Sequence, residues 1–101
     1  MSNAPVSLVN VFRTHPDKQG VLAELLKENI RTVISGLSGW RLSRLIAGAE
    51  GTSVVIYSEW DSAQDIEAMR KDPRMMAYFP KIRELAQLES IQGQIVLESR
   101  P

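Results

Sequence analysis

A chain of 101 residues, 44% of them hydrophobic, can build one core and is too short for two domains. Twelve Lys and Arg balance twelve Asp and Glu, so the basic excess that nucleic acid or an anionic membrane would require is missing, and neither is expected as a partner. With no cysteine, disulfides, thiolate catalysis and cysteine-ligated metals are excluded, and the single histidine, His15, has no Cys or acidic pair beside it to make a metal site.

No apolar run reaches the length of a membrane span. The first residues, Met1-Ser2-Asn3-Ala4-Pro5, lack a charged stretch followed by an apolar one, so no signal peptide and a cytoplasmic location are expected. Val6 to Arg13 is rich in β-branched and aromatic residues and is predicted as a strand. Thr14-His15-Pro16-Asp17 then carries helix-start signals: Thr14 as cap, Asp17 at the reciprocal position, and Pro16 where a first turn tolerates it. Leu22, Leu25, Leu26, Val33 and Leu37 form one helical stripe, closed by Gly36 and Gly39.

Trp40 to Ala47 and Thr52 to Trp60 are predicted as a hairpin around Gly48-Ala49-Glu50-Gly51. Asp61, with Gln64 reciprocal, is the expected cap of a second helix, ending at Lys71. Asp72-Pro73 opens a third, carrying Met75, Met76, Phe79, Ile82 and Leu85, with a kink or break expected near Phe79 because Pro80 has no N–H. Leu88 to Glu98 closes the chain as a strand, with a bulge or close approach at Gly93.

Strand, helix, strand, strand, helix, strand is the order of a ferredoxin-like βαββαβ domain of the α+β class, a four-stranded antiparallel sheet with its helices on one face. The domain is expected to occupy the whole chain, with its core at about 6–98. Val54, Ile56 and Trp60 alternate with Val55 and Tyr57, so both sheet faces carry apolar side chains. A sheet wet on one side alternates more cleanly, and a second copy across the bare face is the expected cover, with Tyr57 and Glu59 pointing at the partner. Arg41 and Arg44 are read as solvated or interface charges.

Ser38-Gly39-Trp40-Arg41-Leu42, Gly51-Thr52-Ser53-Val54-Val55-Ile56-Tyr57-Ser58-Glu59-Trp60-Asp61-Ser62 and the later Asp72-Pro73 together resemble the signature of the antibiotic biosynthesis monooxygenase family. The resemblance spans about Val6 to Glu98. It implies a dimeric α/β barrel. It also implies oxidation of anthrone-type phenols to quinones by O₂ without metal or flavin, or haem degradation in a second branch. It places the pocket between helices and sheet. Carried over by position, Asn10 matches an implicated first-strand Asn and Trp60 an implicated Trp. Ile56 stands where some members have a second Asn, and Tyr78 where the haem-degrading branch has a His.

Each candidate has a plainer reading. Asn10 interrupts Leu8-Val9-Asn10-Val11-Phe12, where an amide must be hydrogen-bonded; it is either a substrate contact or a buried structural Asn. Trp60 is either core or a wall for a flat aromatic ligand. Met75, Met76, Tyr78 and Phe79 are either a core stripe or a soft pocket lining. The sequence therefore predicts catalytic Asn10 and Trp60, substrate-binding Ile56, Met76, Tyr78 and Phe79, no metal and no cofactor, and O₂ with a small aromatic molecule as reactants. No strong general base is visible beside them. The competing function is a non-catalytic dimeric module that binds a small hydrophobic ligand, and haem binding through Tyr78 is a weaker third.

Overall fold

The computed structural model describes residues 5–101. The elements are β1 (Val6–Arg13), α1 (Pro16–Thr32), a short 3-10 turn (Ile34–Gly36), β2 (Trp40–Ala47), β3 (Ser53–Trp60), α2 (Ala63–Lys71), α3 (Pro73–Leu85) and β4 (Gln87–Gly93). The four strands form one antiparallel sheet in the order β2-β3-β1-β4, the ferredoxin-like arrangement, with the helices against one face. The predicted hairpin is present between β2 and β3. Its turn closes through Gly51 N–H to the Gly48 carbonyl (3.0 Å), and Gly51 takes φ +87°, where a side chain would be strained.

Three of the expected local details differ. Thr14 does not cap α1; its hydroxyl donates to the Leu85 carbonyl (2.7 Å), tying the end of β1 to the end of α3, and His15 takes the cap position with no side-chain bond. Asp61 does not cap α2 either. Residues 61–65 contain two overlapping capping boxes, and the second is used: Ser62 Oγ accepts the Asp65 N–H (3.2 Å) and donates to its carboxylate (2.8 Å). Asp61 is drawn to Arg41 instead (2.5 Å), and its N–H donates to the Gly39 carbonyl (2.8 Å). Gly39 has φ +82°, and a Cβ there would run into the Asp65 side chain, so this crossing accepts only glycine. Asp72 caps α3 as expected, accepting the Arg74 N–H (2.8 Å).

The third difference is Pro80. The helix does not break there; α3 runs through it from Pro73 to Leu85. Pro80 is exposed, so the Met76 carbonyl that loses its partner faces water, and the cost of the missing bond is small. The break between α2 and α3 falls at Asp72-Pro73, where the sequence placed it. The last strand is also shorter than predicted. Ser7 pairs with Gly93, and β1 begins one residue before Ser7, so beyond Gly93 no neighbouring strand remains.

Alternation sorts the side chains by face. Leu8, Asn10, Phe12, Val54, Ile56, Ser58 and Trp60 point at the helices. Val9, Val11, Val55, Tyr57 and Glu59 point away, together with Ile46 and Ile91, which are 54% and 60% exposed. Under the helices the apolar core is divided. One cluster gathers Leu8, Val33, Ile34, Trp60, Ile66, Met69 and Met75. The other gathers Phe12, Leu22, Leu26, Val54, Ile56 and Ile82.

Candidate functional site

Between the two clusters lies a cavity of about 690 Å³, walled below by β1, β3 and β4 and above by the helices. A volume of that size suits a small organic ligand. Its apolar walls include Leu8, Phe12, Ile56, Trp60, Met75 and Phe79. Its uncharged polar side chains are Asn10, Asn29, Ser43, Ser58, Gln87 and Ser90, and the only ionisable side chains on its lining, among the described residues, are Arg70 and Arg83. Among the described residues no carboxylate, imidazole or phenol lines it, so these walls offer no general base.

The strands fix how these groups present themselves. Asn10 sits at the middle of β1, opposite Ile56 of β3 on one side and Ser90 of β4 on the other. Ser90 Oγ donates to Asn10 Oδ1 (2.5 Å). Its Nδ2 protons have no acceptor among the described residues, which leaves them available to an acceptor in the cavity that Asn10 lines. Trp60 is 1% exposed, and its indole N–H donates to Ser58 Oγ (3.1 Å), which in turn donates to the Leu8 carbonyl (3.3 Å). That chain spends the indole's only donor within the protein. Trp60 can offer a ligand its ring face and nothing more.

Of the residues picked out from sequence, Asn10, Trp60, Ile56 and Phe79 share this cavity; Met76 and Tyr78 do not line it. Met75 points at the core, and Met76, one residue on and rotated about 100° around the helix axis, is 57% exposed. Tyr78 packs along α1, where its hydroxyl donates to Glu28 (2.6 Å). The bond to Glu28 holds the phenol's pKa above its usual value, and Lys81 lies 5.5 Å from the ring centre. A phenol held outside the cavity and kept protonated is poorly placed to ligate haem iron. Tyr57, on the opposite sheet face, is likewise raised by its bond to Glu59 (2.6 Å).

Of the polar lining residues, sequence reading missed Asn29, Ser43, Ser58, Arg70, Arg83, Gln87 and Ser90. For Asn29 a signal exists: it lies three residues after Leu26 and four before Val33, squarely on the apolar stripe of α1. It is 2% exposed. Arg70 and Arg83 lie at positions that read as solvated helix faces, and only the tertiary arrangement brings them to the cavity.

The model of the antibiotic biosynthesis monooxygenase family matches residues 5–81. Over 85 residues the chain is 32% identical to tetracenomycin-F1 monooxygenase of Streptomyces glaucescens, covering 84% of this chain and 76% of that protein. The chain belongs to the antibiotic biosynthesis monooxygenase family. Among solved structures it superposes on the ActVA-Orf6 monooxygenase of Streptomyces coelicolor, determined with nanaomycin D, with TM-score 0.87 and 22% identity over 98% of this chain and 94% of the other. SnoaB, a cofactor-independent oxygenase of Streptomyces nogalater, matches with TM-score 0.76 and 16% identity over 96% of this chain and 97% of the other. At these identities the two structures establish the shared fold. The family match ends at residue 81, so it takes in Asn10, Asn29, Ile56, Trp60 and Phe79, while the β4 wall with Ser90 lies beyond it. No helix among the described residues is long and apolar enough to cross a membrane.

Proposed function

We propose that this member of the antibiotic biosynthesis monooxygenase family is a cofactor-independent oxygenase that converts an anthrone-type or quinol-type aromatic substrate to a quinone with O₂. The observation that carries this is the cavity itself: apolar walls, an aromatic face at Trp60, and a lining carboxamide at Asn10 whose Nδ2 has no acceptor among the described residues. The relatives support it by name, one a tetracenomycin-F1 monooxygenase and one a cofactor-independent oxygenase. A wall without a general base fits a substrate acidic enough to lose its own proton.

In this reading an anthrone binds as its enolate, with Asn10 Nδ2 donating to the oxyanion and the apolar walls excluding water. The electron-rich ring carbon passes electrons to O₂ and forms a C–O bond. The resulting hydroperoxide loses water, leaving a C=O where the CH₂ stood; one O₂ is consumed and one H₂O released. The protein contributes desolvation, orientation and anion stabilisation. Oxygen uptake by the metal-free protein, with product spectra, over a panel of anthrones, quinols and catechols tests this. Uptake with quinone formation is expected. Saturable binding of the same compounds without uptake would replace the enzyme with a ligand-binding module, the reading that the apolar Ile56 favours.

The functional unit in this proposal is a homodimer across the outer sheet face. That face exposes Ile46 and Ile91 and carries Arg44 beside the Glu59 and Tyr57 pair, so both signs of charge are present for a self-complementary contact. Sedimentation is expected to give twice the chain mass of 11.3 kDa, and Val55→Arg, at the middle of the face, is expected to give single chains. A wild-type protein that sediments as single chains at micromolar concentration rules the dimer out.

A further inference from the structure

Positive charge gathers where α3 hands over to β4. Arg83, Ala86 and Gln87 line the cavity, and they also line a second hollow of about 320 Å³. The two spaces therefore adjoin at this junction. The smaller one carries Arg13, Lys18 and Arg83 against a single carboxylate, Glu84, with His15 beside them. In a chain whose Lys and Arg equal its Asp and Glu at twelve each, that is a local excess of one sign. It is also unanswered. Arg70, the other cation on the cavity lining, is paired with Glu67 (2.8 Å), whereas among the described residues no carboxylate lies within ion-pair distance of Arg13, Lys18 or Arg83.

The fold holds these cations together. Ile82 is buried in the second cluster, and Arg83, one residue on and rotated about 100° around the helix axis, stands at the rim. The Thr14 hydroxyl on the Leu85 carbonyl (2.7 Å) and the Ala86 N–H on the Ile82 carbonyl (2.9 Å) tie the end of β1, with Arg13, to the end of α3. Like charges fixed side by side repel, and a cleft lined by one sign concentrates the opposite one. A guanidinium meets a carboxylate through two parallel hydrogen bonds, each stronger than a neutral one.

We propose that Arg83 is a specificity-determining residue, and that the hollow it shares with Arg13 and Lys18 is a subsite for a carboxylate carried on a side arm of the ligand. The ring of that ligand fills the apolar cavity, and the arm leaves it past Gln87 to reach the guanidinium. This rests on the part of the reading above that makes the cavity a site for an aromatic ligand, and it is independent of the oxygen chemistry. Aromatic acids are then selected over their neutral counterparts at the rim, away from the reacting carbon.

The test is titration, followed by protein fluorescence, with an anthraquinone bearing an acetic acid arm and with the methyl ester of the same compound. Wild type is expected to bind the acid more tightly, by roughly tenfold for a hydrogen bond to a charged group. Arg83→Gln is expected to bind the acid no more tightly than the ester, with Tm unchanged because Arg83 is exposed. Arg83→Lys, which keeps the charge and loses the fork, is expected to retain part of the preference. An Arg83→Gln protein that keeps the full preference overturns the inference. So does one that weakens both ligands alike while lowering Tm, since that marks a structural role. Equal binding of acid and ester by wild type overturns the subsite and leaves the oxygenase reading standing. A preference for the acid that vanishes in Arg83→Gln, without oxygen uptake on the corresponding anthrone, leaves the subsite standing and removes the oxygenase. No binding of either compound overturns both.

Discussion

Asn10→Leu is expected to lower the rate of quinone formation about 100-fold or more while leaving a folded protein. The size follows from what the residue does in the proposed reaction: removing one preorganised donor to a developing oxyanion costs about 10²–10³ in rate. Folding tolerates the change because leucine fits a strand flanked by Leu8 and Phe12 and because the backbone pairing of position 10 with β3 and β4 does not depend on its side chain. The one partner it leaves, the Ser90 hydroxyl, is exposed and can turn to water. Asn10→Ala gives the same result with a larger empty volume. Steady-state oxygen uptake beside circular dichroism separates the two effects, and full activity in a folded Asn10→Leu protein would remove Asn10 from the mechanism.

Trp60→Ala is expected to act on the fold first. Trp60 is the largest of the fully buried side chains and packs among Leu8, Ile66 and Met75. Truncating such a residue costs about 3–5 kcal/mol. Set against about 5–15 kcal/mol for a whole domain, that is a large share. The change also strips Ser58 of the indole donor it accepts. A fall in Tm of more than about 10 °C is expected by thermal unfolding. Activity lost in this variant says nothing about catalysis, because stability is lost with it. Trp60→Phe keeps a flat ring and most of the packing, and it is the variant from which a role in stacking the substrate is to be read. A Trp60→Ala protein that melts within a few degrees of wild type would show that the ring is not the keystone its burial implies.

The parts of the fold legible in the sequence were those set by alternation and turn chemistry. Val54, Ile56 and Trp60 against Val55 and Tyr57 sorted the two faces of β3 correctly, and Gly48 to Gly51 located the hairpin. What misled was competition for the same residues. Thr14 and Asp61 are both good caps, yet each found a tertiary partner, Leu85 and Arg41, invisible to local reading. Pro80 was tolerated because its helix face is wet, and helix-face wetness depends on packing. The site shows the same limit. A polar residue on an apolar strand marked Asn10, and the same argument applied to the α1 stripe would have found Asn29. Met76 and Tyr78 share a rich aromatic and sulfur composition with Met75 and Phe79, but composition does not say which side of α3 a residue occupies.

The divided core has a consequence for cooperativity. Helix α3 places Met75 in one cluster and Ile82 in the other, with cavity between them, so without a ligand its two ends are joined through the core mainly by the partly buried Tyr78 and Ile30, which pack against both clusters. Halves so thinly joined can open to different extents, their backbone amides exchanging with solvent at different free energies. A flat ring seated between them touches both and joins them into a single unit. Occupancy then slows exchange along the whole of α3, and a bound ligand completes the hydrophobic core of its host for as long as it stays seated.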